Sequence, residues 1–173
     1  MPPTVYAATK NSGKFAELRD IFAAHGWTVE SFAQYGDVAE GERSYAENAA
    51  LKARGLARDL ARASISAAVV GDDSGLEVCA LSGRPGILSA RYGGDSTGME
   101  VAVAADLGGT IARDERGDGG FSYDAIFCER GSTRTFAEIS RIEKNLRSHR
   151  AIAIARLVEA VRARGANFSH DGT

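Results

Sequence analysis

The sequence predicts an α/β fold, and three observations carry that prediction. Short apolar runs at residues 4–8, 27–32 and 69–71 alternate with longer stretches whose apolar residues recur at helical spacing. Two Ser-x-x-Glu boxes, Ser44 with Glu47 and Ser140 with Glu143, mark helix starts. At 173 residues, 44% of them hydrophobic, the chain is long enough to bury the core of one domain without disulfide or metal staples. One domain is therefore expected over residues 1–173, with a frayed tail from about 166.

Taken in order, the strand at 4–8 runs into the polar turn Thr9-Lys10-Asn11-Ser12-Gly13-Lys14, after which Phe15, Leu18, Ile21 and Phe22 trace a helix that Gly26 stops. Residues 27–32 offer a second strand and 34–43 a polar loop. An alanine-rich helix then runs from Ser44 to about Ala63. Strands at 69–71 and 76–81 flank the turn Gly71-Asp72-Asp73-Ser74-Gly75, and 82–86 is a loop. Residues 100–107 alternate like a strand yet carry the alanines of a helix, and the alanines favour helix. A glycine-rich loop at 117–120 precedes a strand at 123–128, which Gly131-Ser132 turns back into a hairpin partner at 133–137. The last helix follows Ser148-His149-Arg150, carries Ile154, Leu157, Val158 and Val161 on one face, and stops at Gly165.

Composition narrows the function classes. A net charge of -2 with basic and acidic residues interspersed disfavours long nucleic acid as a ligand, while a local basic pocket for a small polyphosphate remains open. Cys79 and Cys128 show no CxxC spacing and read as two buried, reduced thiols, with no zinc site. The first strand is followed at once by Lys10, Asn11 and Lys14, which leaves no apolar core for a signal peptide, and no stretch approaches the ~18 apolar residues of a membrane span. A soluble cytoplasmic protein with no membrane partner is expected.

Several segments carry chemistry. Asp72 and Asp73 stand where an apolar strand breaks into a turn; there they repel each other and lose hydration, which a divalent cation with phosphate oxygens would relieve, although a solvated acidic turn reads the same way. Thr9 to Lys14 joins a strand to a helix N-terminus, suited to an anion, but the full P-loop pattern is missing and an ordinary capped helix also fits. Asn48 and Lys52 share a helix face that points either into a cleft or to solvent. Phe121-Ser122-Tyr123-Asp124 sets an aromatic beside a carboxylate, fit to stack a base and read its edge, or simply to fill a core. His149 and Arg150 put positive charge at a helix start that disfavours it, which an anionic ligand or an acid such as Glu143 would compensate.

In this order, Thr9-x-Asn11-x-x-Lys14, Tyr45-x-Glu47-Asn48-Ala49-x-x-Lys52-Ala53, Asp72-Asp73-Ser74-Gly75-Leu76, Pro85-Gly86 to Ser89-Ala90-Arg91-Tyr92, Gly120-Phe121-Ser122-Tyr123-Asp124-x-Ile126-Phe127, and Glu143-Lys144-Asn145 to Ser148-His149-Arg150 resemble the inosine triphosphate pyrophosphatase family. The resemblance implies an elongated α/β fold with a central mixed sheet flanked by helices, two lobes around a nucleotide cleft, and a homodimer. It implies Mg²⁺-dependent hydrolysis of deaminated purine nucleoside triphosphates (ITP, dITP, XTP) to the monophosphate and pyrophosphate, which sanitises the nucleotide pool. Carried over by position, Asp73 activates water or binds metal, Asp72 stands beside it, and Glu40 is the second metal carboxylate. Lys14, Asn11, Lys52 and Lys144 contact the triphosphate, with Thr9, Asn48 and Ser74 in the same motifs, and Phe121, Tyr123, Asp124, His149 and Arg150 form the base pocket.

The chain departs from the family pattern in having Ser122 for Gly, Ala125 for Pro, and a deficit over residues 93–118. That deficit keeps two alternatives in view: the same chemistry on a modified or ordinary nucleotide in a specialised pathway, or a nucleotide-binding module without turnover.

Overall fold

The computed structural model describes residues 2–39, 41, 44–84, 86, 101 and 103–164. Three short strands, β1 (Thr4–Ala7), β2 (Thr28–Glu30) and β3 (Ala68–Val70), form a parallel sheet in the order β2-β1-β3. Val5 pairs with Val29 on one side and Ala68 on the other, and Ala7 pairs with Val70. Parallel neighbours need crossover helices. These are α1 (Ser12–Ala24) between β1 and β2, and α2 (Tyr45–Arg62) between β2 and β3. The first crossover moves outward from β1 and the second moves back across it, so right-handed connections put α1 and α2 on opposite faces.

The core divides accordingly. Val5, Ala7, Val29 and Val70 pack with Leu18, Ile21 and Phe22 of α1 and with Ile154, Val158 and Val161 of the last helix. On the other face Ala8 packs with Leu56 and Leu60 of α2, with Tyr6 and Val69 beside them. Strands alternate their side chains between these two layers.

A separate antiparallel ladder joins β4 (Gly109–Ile111) to β5 (Phe127–Glu129), with Thr110 opposite Cys128. Among the described residues, parallel and antiparallel pairing are thus both present, in two separate sheets. The chain ends in α3 (Arg141–Arg147) and α4 (His149–Ala163), and Ser148 closes the first and caps the second by accepting from the Ala151 N–H at 3.2 Å. His149 and Arg150 therefore lie inside the first turn of α4 rather than ahead of it. Among the described residues no helix is long and apolar enough to cross a membrane.

Several expected elements differ. Residues 76–81 form no strand: Glu77 makes a single bridge, Cys79–Leu81 is a 3₁₀ turn, and the chain doubles back through Ser82 and Gly83 onto the Val78 carbonyl. Cys79 is consequently exposed, and Cys128 alone is buried. The strand expected at 123–128 survives only as β5, because Asp124 Oδ2 accepts from the Phe121 N–H at 2.7 Å and folds Ser122–Ala125 into a 3₁₀ turn. Ser122 there takes φ 55°, the left-handed region in which glycine is at ease. Residues 133–137 do not pair with β5: Glu138 accepts from the Thr135 N–H at 2.7 Å and starts another 3₁₀ turn, and β4 takes the pairing position. Val101 and residues 103–107 are neither helix nor strand. The helix end expected at Gly165, the tail from 166, the Ser89 to Tyr92 motif and Glu40 lie outside the described residues.

Candidate active site

The loops that follow β1 and β3 leave neighbouring strands at the carboxyl edge of the sheet. The chain turns to one side after β1 and arrives from the other before β3, which opens a crevice between them. A cleft of about 390 Å³ lies there, lined by Thr9, Lys10, Asn11, Lys14, Lys52, Asp72, Asp73 and Ser74 among others. Local chemistry shapes its walls. Asn11 caps α1 by accepting from the Lys14 N–H at 2.9 Å, and Thr9 Oγ1 accepts from the Asn11 N–H at 3.1 Å. Gly71 sits so close to α2 that a Cβ would overlap the Ala49 carbonyl oxygen.

That contact brings α2 within reach of the acidic turn. Asn48 Nδ2 donates to Asp73 Oδ2 at 3.1 Å, and Lys52 Nζ donates to Asp73 Oδ1 at 2.7 Å. Asn48 is fully buried, and its own oxygen accepts from the Gly41 N–H. Asp72 points the other way. Arg150 Nε and Nη2 bond its two oxygens at 3.0 Å each, and Lys14 Nζ lies 3.0 Å from Oδ2. Adjacent residues leaving a strand face opposite layers, so Asp72 meets cations from α1 and α4 while Asp73 meets α2. The expected mutual repulsion is relieved by separation and by separate counter-ions.

Behind Asp72 the ion pairs continue into a buried network. Arg150 also donates to Ser74 Oγ at 3.1 Å and to Glu17, and Lys144 donates to Glu17 and Asp124. Glu143, considered as a partner for Arg150, pairs instead with Arg134 and Arg147. Three carboxylates, Glu17, Asp72 and Asp124, thus meet three cations, Lys14, Lys144 and Arg150. Phe121 covers this network, its ring centroid 4.7 Å from Lys144 Nζ and its edge against Gly13, where a Cβ would overlap it.

Burial alone would raise the Asp72 pKa, but Arg150 and Lys14 outweigh it and hold the carboxyl well below the usual range. Burial likewise works to lower the Arg150 pKa, and Asp72 with Glu17 reverse that and raise it. Burial and the neighbouring Arg150 charge lower His149, whose buried Nε2 has no hydrogen-bond partner among the described residues. Burial and the Glu77 carboxylate push the Tyr45 phenol up to about 12.

Thr9, Asn11, Lys14, Asn48, Lys52, Asp72, Asp73 and Ser74 are gathered in or directly beneath the cleft. Phe121, Asp124, Lys144, His149 and Arg150 gather around the adjoining network, and Tyr123 stands 42% exposed beside it. Glu40 is not described, and among the described residues no three His, Cys, Asp or Glu side chains converge as a metal cage. Glu17 went unnoticed in the sequence. Its signal was an acid beside Leu18 and one turn before Ile21, on the apolar face of α1.

The Ham1 family profile matches this chain over residues 5–105 and 95–160, two stretches that overlap at 95–105. The dITP/XTP pyrophosphatase of Geobacillus kaustophilus is 40% identical over 195 residues, covering 90% of this chain and 92% of the relative. That of Gloeobacter violaceus is 37% identical over 181 residues, covering 87% and 90%. Among solved structures, the Staphylococcus aureus Ham1 protein superposes with a TM-score of 0.70 at 30% identity, covering 93% of this chain and 99% of the other.

Proposed function

The chain belongs to the Ham1 family, as its motifs led one to expect, and from that premise we propose that it is a nucleoside triphosphate pyrophosphohydrolase acting on dITP, XTP and ITP. Water attacks the α-phosphorus, and the monophosphate and pyrophosphate leave. The observation that carries this reading is the division of labour between two adjacent carboxylates on the floor of one cleft. Asp72 has both oxygens engaged by Arg150 and Lys14 and a pKa well below the usual range, so it orients those cations and takes no proton near neutrality. Asp73 is the general base. Asn48 and Lys52 fix its carboxylate at the cleft.

The α1 N-terminus with Thr9, Asn11 and Lys14 receives phosphate, aided by the helix dipole, while Lys52 and Ser74 supply donors from the other wall. Lys144 takes part through the Glu17 network at the triphosphate's inner end. Phe121 and Tyr123 stack the base, and Asp124, His149 and Arg150 line its edge. His149 Nε2, buried and without a partner among the described residues, supports that assignment, since a buried polar atom without a partner is costly until a ligand supplies one.

The donor set suits Mg²⁺. Asp73 offers only hard oxygens, and the Lys52 ammonium, 2.7 Å from Oδ1, already stands where a cation is welcome. Asp73 and Glu40 would hold the ion, which when bound neutralises phosphate charge. The protein works as a cytoplasmic homodimer.

Pyrophosphate release with Mg²⁺ over a panel of inosine, deoxyinosine, xanthosine, guanosine, adenosine and pyrimidine triphosphates tests the reading. The highest kcat/KM is expected for the inosine and xanthosine substrates. A flat profile, or no Mg²⁺-dependent release from folded protein, overturns it.

A further inference from the structure

Lys10 lies between Thr9 and Asn11 and lines the same cleft as Lys14, but its side chain is 54% exposed where that of Lys14 is 16%. Lys10 and Lys14 bracket the start of α1 in the chain, and a helix N-terminus favours phosphate. In this structure the Lys10 ammonium is held 2.6 Å from Asp37 Oδ1, across the mouth of the cleft.

Asp37 is fixed by its neighbours rather than by its own side chain, which is 95% exposed. The Gly36 N–H donates to Asp59 Oδ2 at 2.9 Å, and Val38 packs so tightly on Gly55 of α2 that a Cβ there would overlap it. Lys14 and Lys52 pair with Asp72 and Asp73, which belong to the acidic turn. Asp37 does not: it comes from the loop between β2 and α2 and lines the same cleft.

We propose that Lys10 is a further polyphosphate-binding residue of this cleft and that Asp37 competes with the substrate for it, so that the mouth pair opens as a triphosphate enters. The inference rests on reading the cleft as a triphosphate site. An exposed ion pair holds its partners by less than about fivefold, whereas a charge-assisted hydrogen bond to phosphate contributes roughly tenfold or more, so the exchange favours phosphate. Asp37 then sets how readily the cleft accepts polyanions, repelling them until Lys10 is surrendered.

Calorimetric titration of the full chain with inorganic tripolyphosphate, at fixed ionic strength, tests this without requiring turnover. Lys10→Met is expected to weaken binding by roughly tenfold and Asp37→Asn to tighten it by up to about fivefold. The Asp37→Asn gain should vanish in the double variant. Both positions are exposed, and unchanged melting temperatures verify folding. Wild-type affinity in Lys10→Met overturns the inference, as does an Asp37→Asn gain that persists without Lys10, which marks a general field effect. A wild-type chain that binds no tripolyphosphate at all overturns the parent reading as well, so the two failures are distinguishable.

Discussion

Glu17→Gln removes one negative charge from the buried network while keeping the size of the side chain. Glu17 accepts from both Lys144 and Arg150, and all three side chains are 4% exposed or less. In the variant, three cations face two carboxylates in a region that water scarcely reaches. Breaking a buried pair from one side costs about 3–5 kcal/mol, and two lost charge-assisted hydrogen bonds at about 1.5–3 kcal/mol each bracket the same range. Glutamine retains one acceptor oxygen, which places the expected loss near the lower end, at about 3 kcal/mol. For a chain of this length that lowers Tm by roughly 6–12 °C. Thermal and urea unfolding followed by far-ultraviolet circular dichroism measure it directly. Lys144→Met on the Glu17→Gln background should restore part of the loss, since it removes an ammonium left without compensation. A Glu17→Gln melt within about 2 °C of wild type, or a double variant less stable than the two single losses combined, would refute the reasoning.

Three further outcomes are expected. Asp73→Asn should lower turnover by at least ~10²-fold while leaving the fold and tripolyphosphate binding intact, and near wild-type turnover would remove Asp73 as the base. Asp72 has a folded pKa depressed below its unfolded value, so it contributes stability that is present above about pH 4 and lost as the pH falls toward the folded value. The stability gap between wild type and Asp72→Asn, read from urea unfolding at stepped pH, should therefore narrow below about pH 4 and stay constant above pH ~5. Ser122→Gly should stabilise the chain by roughly 1 kcal/mol, because Ser122 occupies φ 55° where glycine carries no steric penalty, and a loss of stability would contradict that strain.

What the sequence disclosed was local. The Ser44 and Ser140 boxes and the apolar spacing of α1 are settled within a few residues of chain, and α2 and α3 start where the boxes set them. Strand positions depend on partners far away. Residues 76–81 carry strand-like residues, yet among the described residues their pairing stops at the single bridge of Glu77, and the Ser82-Gly83 turn takes over. The 123–128 run fails for a different reason: the Asp124 carboxylate bonds the Phe121 backbone and turns the chain before β5 can begin. Glu17 was hidden because an acid in an amphipathic helix reads as solvent decoration until its partners, more than a hundred residues away, come into view.

The same distinction explains why Asp72 and Asp73 looked like one feature in the sequence and are two in the structure. Their adjacency suggests shared repulsion, but a strand exit sends consecutive side chains to opposite layers. The helices that cover those layers differ in what they bring: α4 and α1 supply a guanidinium and an ammonium to Asp72, and α2 supplies an amide and an ammonium to Asp73. The parallel order β2-β1-β3 requires helices on both faces. The topology that buries the core therefore also assigns the two carboxylates unlike surroundings, Asp72 against a guanidinium and an ammonium and Asp73 against an amide and an ammonium. Two consecutive residues at a single strand end thereby present two carboxylates to different sets of partners, which is the asymmetry that the proposed roles of Asp72 and Asp73 use.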